Sequence, residues 1–180
     1  MHTTRLLTRL GLVLSLACAF ALLDASSSWA APTRPSGARA RVGEQAPALM
    51  LQRLVGTDEV NLGALRGRVV VIDFWATWCG PCRSIMPALS QMQQRLRGRG
   101  LSIVGVSRES PRVIEAHLTR HPVTYTVARD VGGGHAAYEV RALPTLVVID
   151  RRGTVRLLHT GGDLAAVIPL VEQLLAEPAP

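Results

Sequence analysis

Two continuous apolar segments and two amphipathic segments alternate through the middle of the chain. Residues 67–76 (GRVVVIDFWA) and 101–107 (LSIVGVS) are rich in β-branched residues without polar alternation, which predicts strands buried on both faces. Apolar residues recur at helical spacing from Pro81 to about Arg97, so a helix follows the first strand. A second helix is predicted over 110–121, because Ser110 can cap it and a proline follows directly.

Shorter patterns on both sides complete the element order. They predict, in chain order, an N-terminal β-hairpin within 47–62 with its turn at 56–59, a short strand at 123–128, a loop and brief helix at 132–140, a hairpin of strands 145–150 and 154–160, and a last helix capped by Asp163. Strands joined by helices and followed by an antiparallel hairpin predict a three-layer α/β/α sandwich. We therefore expect one α/β domain.

The first 42 residues have a different composition from the rest. Residues 1–30 combine two early arginines, a short apolar run at 11–23 and small residues before Ala31, which is typical of a signal peptide. The apolar run is short for a bilayer span, although an uncleaved anchor remains an alternative. Residues 31–42 mix Pro, Gly, Ala and Arg without periodicity, which predicts a flexible linker. The folded domain is expected over 43–177.

The net charge of +7 comes from arginine alone, since the chain contains no lysine. The arginines are scattered rather than clustered, and aromatic residues are only 4% of the chain. Nucleic acid is therefore not an expected partner, because single-strand binding needs a basic groove with aromatic stacking platforms. We interpret the charge as a solvated basic surface. A membrane partner is expected only if the leader is not cleaved.

The chemistry of the chain is concentrated in the stretch DFWATWCGPC at residues 73–82. Its two cysteines, Cys79 and Cys82, are accompanied elsewhere only by Cys18, which lies in the leader. A bridge across so short a loop would be a poor structural staple. Zinc requires about four ligands, and the histidines show no ligand spacing near the pair, so no metal is expected. Arg83 follows the second cysteine, which excludes the histidine-containing motif of covalent haem attachment.

The position of the pair favours a reactive centre. The cysteines lie where a buried strand ends and a helix begins, so their sulfur atoms meet unpaired backbone N–H groups and the positive end of the helix dipole. This environment lowers the pKa of a thiol, and the thiolate is the nucleophilic form. Pro81 between the cysteines has a backbone angle that suits the first helical turn.

Together these features resemble the thioredoxin superfamily, whose active-site motif is WCGPC, and within it the exported TlpA/ResA type of thiol–disulfide oxidoreductase. The likeness covers roughly 43–176 and includes GEQAPALMLQRLVGTDEVNLGALRGRVVVIDFWATWCGPC and YEVRALPTLVVIDRRG. It implies a thioredoxin-like three-layer sandwich with an N-terminal β-hairpin and a helix–strand insertion near 110–128.

The resemblance also implies roles for individual residues. Cys79 resembles the exposed nucleophile and Cys82 the buried resolving thiol, and the two alternate between dithiol and disulfide. Pro144 resembles the cis-proline that offers backbone hydrogen bonds to a substrate strand. Leu143 precedes it in a position that tunes substrate contact, and Trp78 is expected to shield the disulfide.

Asp73 stands in an otherwise apolar strand, where an unpaired carboxylate is costly. It resembles the thioredoxin aspartate that exchanges protons with the buried thiol, and burial should raise its pKa. An outward orientation of Asp73 is the alternative. Two positions depart from the related families: Ile85 replaces the glutamate of ResA-like members, and Gly105 stands where thioredoxin has a lysine.

The expected function is dithiol exchange that reduces protein disulfides in the periplasm or another extracytoplasmic space, with no bound cofactor. The resemblance implies disulfide-containing protein substrates, a role in cytochrome c biogenesis and a membrane electron donor of the DsbD/CcdA kind. The alternatives are a disulfide oxidase, a peroxiredoxin-like thiol peroxidase, and a binding module that has kept only the fold. Peroxiredoxins have a threonine three places before the reactive cysteine, where this chain has Ala76.

Overall fold

The two apolar segments form the centre of a six-stranded mixed sheet. The computed structural model describes residues 38–58 and 60–178. The strands are β1 Leu51–Val55, β2 Val69–Phe74, β3 Leu101–Ser107, β4 Thr126–Asp130, β5 Thr145–Ile149 and β6 Val155–Thr160. The helices are α1 Gly80–Leu96, α2 Pro111–Arg120, α3 Gly134–Ala137 and α4 Val167–Ala176, with a 3-10 turn at Arg97–Arg99.

The strands are arranged in the order β1-β4-β3-β2-β5-β6. β2, β3 and β4 are parallel to their neighbours in this group, whereas β1 pairs antiparallel with β4, and β5 pairs antiparallel with both β2 and β6. Every residue of β2 and β3 is buried, as the continuous apolar runs predicted. The C-terminal end of the central strand β2 therefore lies in the middle of the row of strand ends from which α1 starts.

The two faces of the sheet are covered differently. On one face, α1, α2 and α4 pack against alternate residues of β2 and β3, including Val71 and Ile103. On the other face, Phe74 and Val106 pack against Tyr138 after α3 and against the N-terminal segment through Ala40 and Leu49. The predicted α/β class is confirmed, and its third layer consists of one short helix and non-helical chain.

The predicted N-terminal β-hairpin is wrong. Of its two expected strands only β1 forms, and β1 pairs with β4 at the sheet edge. Within the described part of 56–68, the second half of the segment forms turns, in which the N–H groups of Ala64 and Leu65 bond to the carbonyl of Asn61. The Asn61 side chain accepts the N–H of Gly63 at 2.8 Å, and such local bonding favours a turn over a strand.

The last helix begins later than its apolar pattern predicted. Asp163 accepts the N–H of Ala165 at 2.8 Å and so stabilises a turn, while α4 starts at Val167 with Ala166 in the capping position. The inserted helix α2 starts at Pro111 as predicted, although the Ser110 side chain makes no capping hydrogen bond. These differences move helix ends without changing the element order.

The ordered domain begins before residue 43, inside the predicted linker. Ala40 is buried, and its N–H donates to the carbonyl of Ala137 at 2.8 Å. The predicted leader and linker residues 1–37 lie outside the described residues. Within the part of the chain that is described, no helix has the length and apolar character needed to cross a membrane.

Candidate active site

The two cysteines lie at the start of α1, as the sequence predicted. Cys79 is the N-cap of the helix, and its Sγ accepts the N–H of Cys82 at 3.2 Å. The two sulfur atoms form a disulfide, with the Cα atoms 5.3 Å apart. Pro81 occupies the first turn, which contains no acidic residue. The local field of this helix end therefore favours a thiolate when the disulfide is reduced.

Cys79 is less exposed than the sequence predicted. It retains 4% of its surface and Cys82 retains none. Cys79 is the more exposed of the two cysteines, as predicted, but both belong to the core cluster that α1 forms with the sheet. The N–H of Cys79 donates to the carbonyl of Ala76 at 3.1 Å, so the loop before the cysteine forms a tight turn.

The loop between β2 and Cys79 is hydrogen-bonded to Glu109, which follows β3 and which the sequence did not single out. The N–H and the hydroxyl of Thr77 each donate to the Glu109 carboxylate at 2.7 Å. Ser107 Oγ lies 3.3 Å from the same carboxylate and accepts the N–H of Glu109 at the same distance. The segment between β2 and Cys79 is thus held in place by bonds between residues about thirty positions apart.

Asp73 is fully buried, which rules out the alternative that its side chain points to solvent. It lies on the same face of the chain as Val71 in β2 and Trp75 just after β2, which both belong to the core cluster that contains Cys82, so the carboxyl group faces that cluster. Neither of its oxygen atoms has a hydrogen-bond partner among the described residues. Burial raises the pKa of Asp73 from 3.8 to about 7, which suits proton exchange near neutral pH.

Gly105 lies directly beside Asp73 in the neighbouring strand, as the comparison with thioredoxin predicted. No basic side chain occupies this position, and the space over the glycine is filled by aromatic rings. A Cβ atom at Gly105 would lie 3.1 Å from Tyr125 Cε2 and 3.2 Å from Trp75 Nε1. Burial and the charge of Asp73 raise the pKa of Tyr125 well above 10. Asp73 is therefore surrounded by uncharged groups, and burial governs its pKa.

The Leu143–Pro144 peptide bond is cis, as the resemblance implied. Pro144 immediately precedes β5, whose first residue Thr145 pairs with Phe74 at the end of β2. The carbonyl of Pro144 accepts the N–H of Gly161 at 2.9 Å. The pairing of Thr145 with Phe74 places Pro144 at the same end of the strands as the segment that leads from β2 to the cysteines.

A cleft of about 370 Å³ is lined by residues of the segment just before Cys79 and of the segment just before Pro144. Its apolar lining includes Trp75, Trp78, Val140 and Leu143. Trp78 is 72% exposed, and its shielding of the disulfide stays a prediction. The exposed indole and half-buried Leu143 give the cleft an apolar lining.

The same cleft is lined by His135, to which the sequence pattern gave no role. The side chain is buried and bonds to Asp130, with 2.7 Å between Nδ1 and Oδ2. The available signal was the stretch DVGGGH at residues 130–135, in which three glycines lie between an acidic residue and a histidine. Among the described residues, no three His, Cys, Asp or Glu side chains are grouped as a metal site would require.

Comparison with known proteins agrees with this geometry. Residues 42–158 match the AhpC/TSA family. The chain is 32% identical over 123 residues to the thioredoxin-like protein YneN of Bacillus subtilis, covering 66% of this chain and 71% of the relative. It is 31% identical over 140 residues to the thiol-disulfide oxidoreductase ResA of Halalkalibacterium halodurans, covering 77% and 75%.

Solved structures show the same fold. A Chlorobium tepidum protein provisionally described as the thiol:disulfide interchange protein DsbE aligns with a TM-score of 0.65 and 36% identity, over 76% of this chain and 97% of that protein. A second Chlorobium tepidum thiol:disulfide interchange protein of the thioredoxin family aligns with a TM-score of 0.65 and 26% identity, over 77% and 100%. The chain belongs to the AhpC/TSA family and is a thioredoxin-like thiol–disulfide oxidoreductase.

Proposed function

We propose that the protein reduces disulfides of client proteins outside the cytoplasm, with Cys79 as nucleophile and Cys82 as resolving thiol. The observation that carries this proposal is the placement of the pair at the N-terminus of α1, against the same core cluster that Asp73 faces. The helix end favours a thiolate at Cys79. The buried carboxyl group offers a proton acceptor for the thiol of Cys82.

The reaction begins from the reduced protein. The Cys79 thiolate attacks one sulfur of the client disulfide, so a mixed disulfide forms and the other client sulfur leaves as a thiolate that takes up a proton. Cys82 then transfers its proton to the Asp73 carboxylate and attacks Cys79 Sγ. The bond to the client breaks, and the client leaves with both sulfurs reduced. The protein has lost two electrons and holds the Cys79–Cys82 disulfide.

Client contact belongs to the cleft and to the cis-proline turn. Trp78 is exposed and Leu143 is half-buried, and both line the cleft, so they offer apolar contact to a client. Pro144 is buried and its carbonyl bonds to Gly161, so the cis bond acts by presenting the backbone of Leu143 to an extended client segment. A client must present its disulfide closely, because only 4% of the Cys79 surface is accessible. This favours flexible or unfolded clients over compact ones.

The Gly80-Pro81 dipeptide supports the reducing direction, because it is the pair found in thioredoxin, whose potential is about −270 mV compared with about −120 mV for DsbA. Each turnover leaves the protein oxidised, so a reductant must return two electrons. We assign this role to a membrane protein of the DsbD/CcdA kind, which fits export by the leader over 1–30. Apocytochrome c is one client of this class, and Ile85 in place of glutamate argues for a broader set.

A trapping experiment tests the proposal. In the Cys82→Ser variant, the mixed disulfide between Cys79 and a client peptide should accumulate, because no resolving thiol remains, and it can be counted by intact mass spectrometry. Cys79→Ser is the matched control and should form no adduct. Titration of the wild-type pair against glutathione should give a potential near that of thioredoxin.

Three results would contradict the proposed function. A potential near −120 mV would assign the protein to the oxidases. Rapid consumption of hydrogen peroxide without a disulfide client would support the peroxiredoxin-like alternative. Equal adduct formation in both serine variants would reject Cys79 as the nucleophile.

A further inference from the structure

A buried pair of side chains on the wall of the cleft has no part in the dithiol mechanism. Asp130 and His135 have side chains that are only 2% and 7% exposed, and 2.7 Å separates Asp130 Oδ2 from His135 Nδ1. His135 lines the same cleft as Trp78 and Leu143. Its ring meets Phe74 edge to face, with 4.8 Å between the ring centroids. The imidazole is therefore held in one orientation.

Asp130 is fixed as a carboxylate. It accepts the backbone N–H groups of Gly132, Gly134 and His135 at 3.1, 2.9 and 2.9 Å. Burial alone would raise the pKa of Asp130, but these hydrogen bonds, together with that from the His135 ring, lower it to about 2. An ionised carboxylate is only an acceptor. Nδ1 of His135 must therefore carry the hydrogen in this contact.

The opposite ring nitrogen is left available. Burial lowers the pKa of His135 although Asp130 opposes this effect, so the ring is neutral at pH 7 and Nε2 has a free lone pair. No described residue bonds to Nε2 of His135, and this atom is accessible to solvent. By contrast, the Nε2 atoms of His117 and His159 are buried. His135 lines the cleft and its Nε2 is accessible, and these two observations together point to a contact between Nε2 and a client in the cleft.

We propose that His135 is a positioning residue for the client, with its Nε2 accepting a hydrogen bond from an N–H group next to the client disulfide. The inference rests on the proposed function and adds a polar contact to the cleft. A client segment that packs on Trp78 and Leu143 enters the space that His135 lines. Asp130 and Phe74 hold the acceptor in place, so little ordering is needed when the client binds.

Client binding through Nε2 should depend on pH. Protonation of Nε2 converts the acceptor into a donor, so client binding should weaken as the pH falls through the pKa of His135, which lies below 6.5. The charged groups on this cleft are Arg108, Glu109 and Arg141, together with Asp130 behind the ring. Arg108 lowers the pKa of His135 further, and Glu109 is bonded to Thr77.

Nitrogen NMR of the imidazole tests the contact directly. A peptide with serines in place of the client cysteines is titrated onto the oxidised wild-type protein, so that no thiol exchange is needed. The ¹⁵N resonances should show hydrogen on Nδ1 and none on Nε2 in the free protein, and the Nε2 signal should move as the peptide saturates. An unchanged Nε2 signal at saturation, or hydrogen on Nε2 in the free protein, would overturn the proposal even if the protein proves to be an active reductase.

Kinetics of disulfide reduction give a second readout. His135→Asn keeps an amide N–H for Asp130 but has no atom in place of Nε2. Its KM for a disulfide peptide should rise about three- to tenfold at pH 7.5, as loss of one hydrogen bond predicts, with kcat little changed. Its KM should also no longer rise at acidic pH. His121→Asn removes an exposed imidazole outside the cleft and should match the wild type.

The kinetic result also separates positioning from a purely structural role. If His135→Asn loses kcat and KM together with its resistance to urea, the pair only stabilises the loop, and the proposal is rejected. If its KM and pH profile match those of His121→Asn, the proposal is likewise rejected. If neither the wild type nor the variants reduce any peptide, the proposed function fails, and the NMR titration still decides the role of Nε2.

Discussion

At the scale of single residues, Asp73 has the environment that most opposes its charge. Its pKa is raised by burial from 3.8 to about 7, so between these pH values the folded protein holds a proton that the unfolded chain has released. The folded state then binds more protons than the unfolded state, and stability falls as the pH rises through this range. The difference in pKa corresponds to about 4 kcal/mol.

We therefore predict that the stability of the oxidised wild type decreases between pH 4 and pH 7, and that Asp73→Asn removes this decrease. The measurement is urea unfolding of both proteins at several pH values. His117 and His135 have lowered pKa values, so they contribute an opposite slope below 6.5. They are present in both proteins, and their contribution cancels in the difference. Parallel stability curves for the two proteins would show that Asp73 is not the group with the raised pKa.

The same substitution should slow the second chemical step. Without the carboxylate, Cys82 has no buried proton acceptor, so the mixed disulfide should persist longer in Asp73→Asn than in the wild type. General base catalysis by a positioned group contributes roughly 10²–10⁴-fold. Stopped-flow release of a fluorescent client from the mixed disulfide measures this rate. Equal release rates at pH 6 and pH 8 in both proteins would exclude Asp73 from proton transfer.

At the scale of elements, the packing of β3 against the aromatic rings depends on Gly105. A Cβ atom there would meet Tyr125, Trp75 and Val127 side chains at 3.1, 3.2 and 3.4 Å. Rigid rings inside a core cannot easily move aside. We predict that Gly105→Ala destabilises the protein by about 1–3 kcal/mol, the usual cost of overpacking.

Gly98 is the matched control for this prediction. A Cβ atom at Gly98 has nothing within 4 Å, and the residue is exposed in the turn after α1. Gly98→Ala should be neutral or should stabilise by about 0.4–1 kcal/mol, because it restricts the unfolded chain. Chemical unfolding of the two alanine variants compares them directly. A Gly105→Ala variant as stable as Gly98→Ala would mean that the aromatic cluster can relax.

At the scale of the whole molecule, the N-terminal segment 38–42 is part of the folded unit. Ala40 is buried against the face opposite α1, and its N–H bonds to Ala137 in α3. A chain that starts at residue 43 should therefore be less stable than one that starts at residue 38, by about 1–2 kcal/mol for one buried methyl group and one hydrogen bond. Thermal unfolding of both truncated chains measures the difference. Equal midpoints would show that the domain begins at residue 43, as the composition suggested.

The sequence by itself determined most elements and the chemistry of the cysteine pair. The continuous apolar runs could be recognised as strands because β2 and β3 are buried on both faces. Helix starts could be recognised because capping residues and prolines act on the residues next to them. The reactive role of the cysteine pair was predicted from its place between a buried strand and the start of a helix. The cis bond before Pro144 and the role of Asp73 were predicted from the resemblance to the thioredoxin superfamily, and the structure decided that Asp73 is buried.

Only the tertiary structure decided which distant groups meet. The choice of β4 as the partner of β1, the bonds from Thr77 to Glu109 and the burial of Cys79 depend on residues far apart in the sequence. Asp130 and His135 are near in sequence, yet their alignment depends on how the glycine loop turns and on Phe74 from another strand. Periodicity reports which side of an element is buried, whereas contacts between elements are fixed by packing of the complete core.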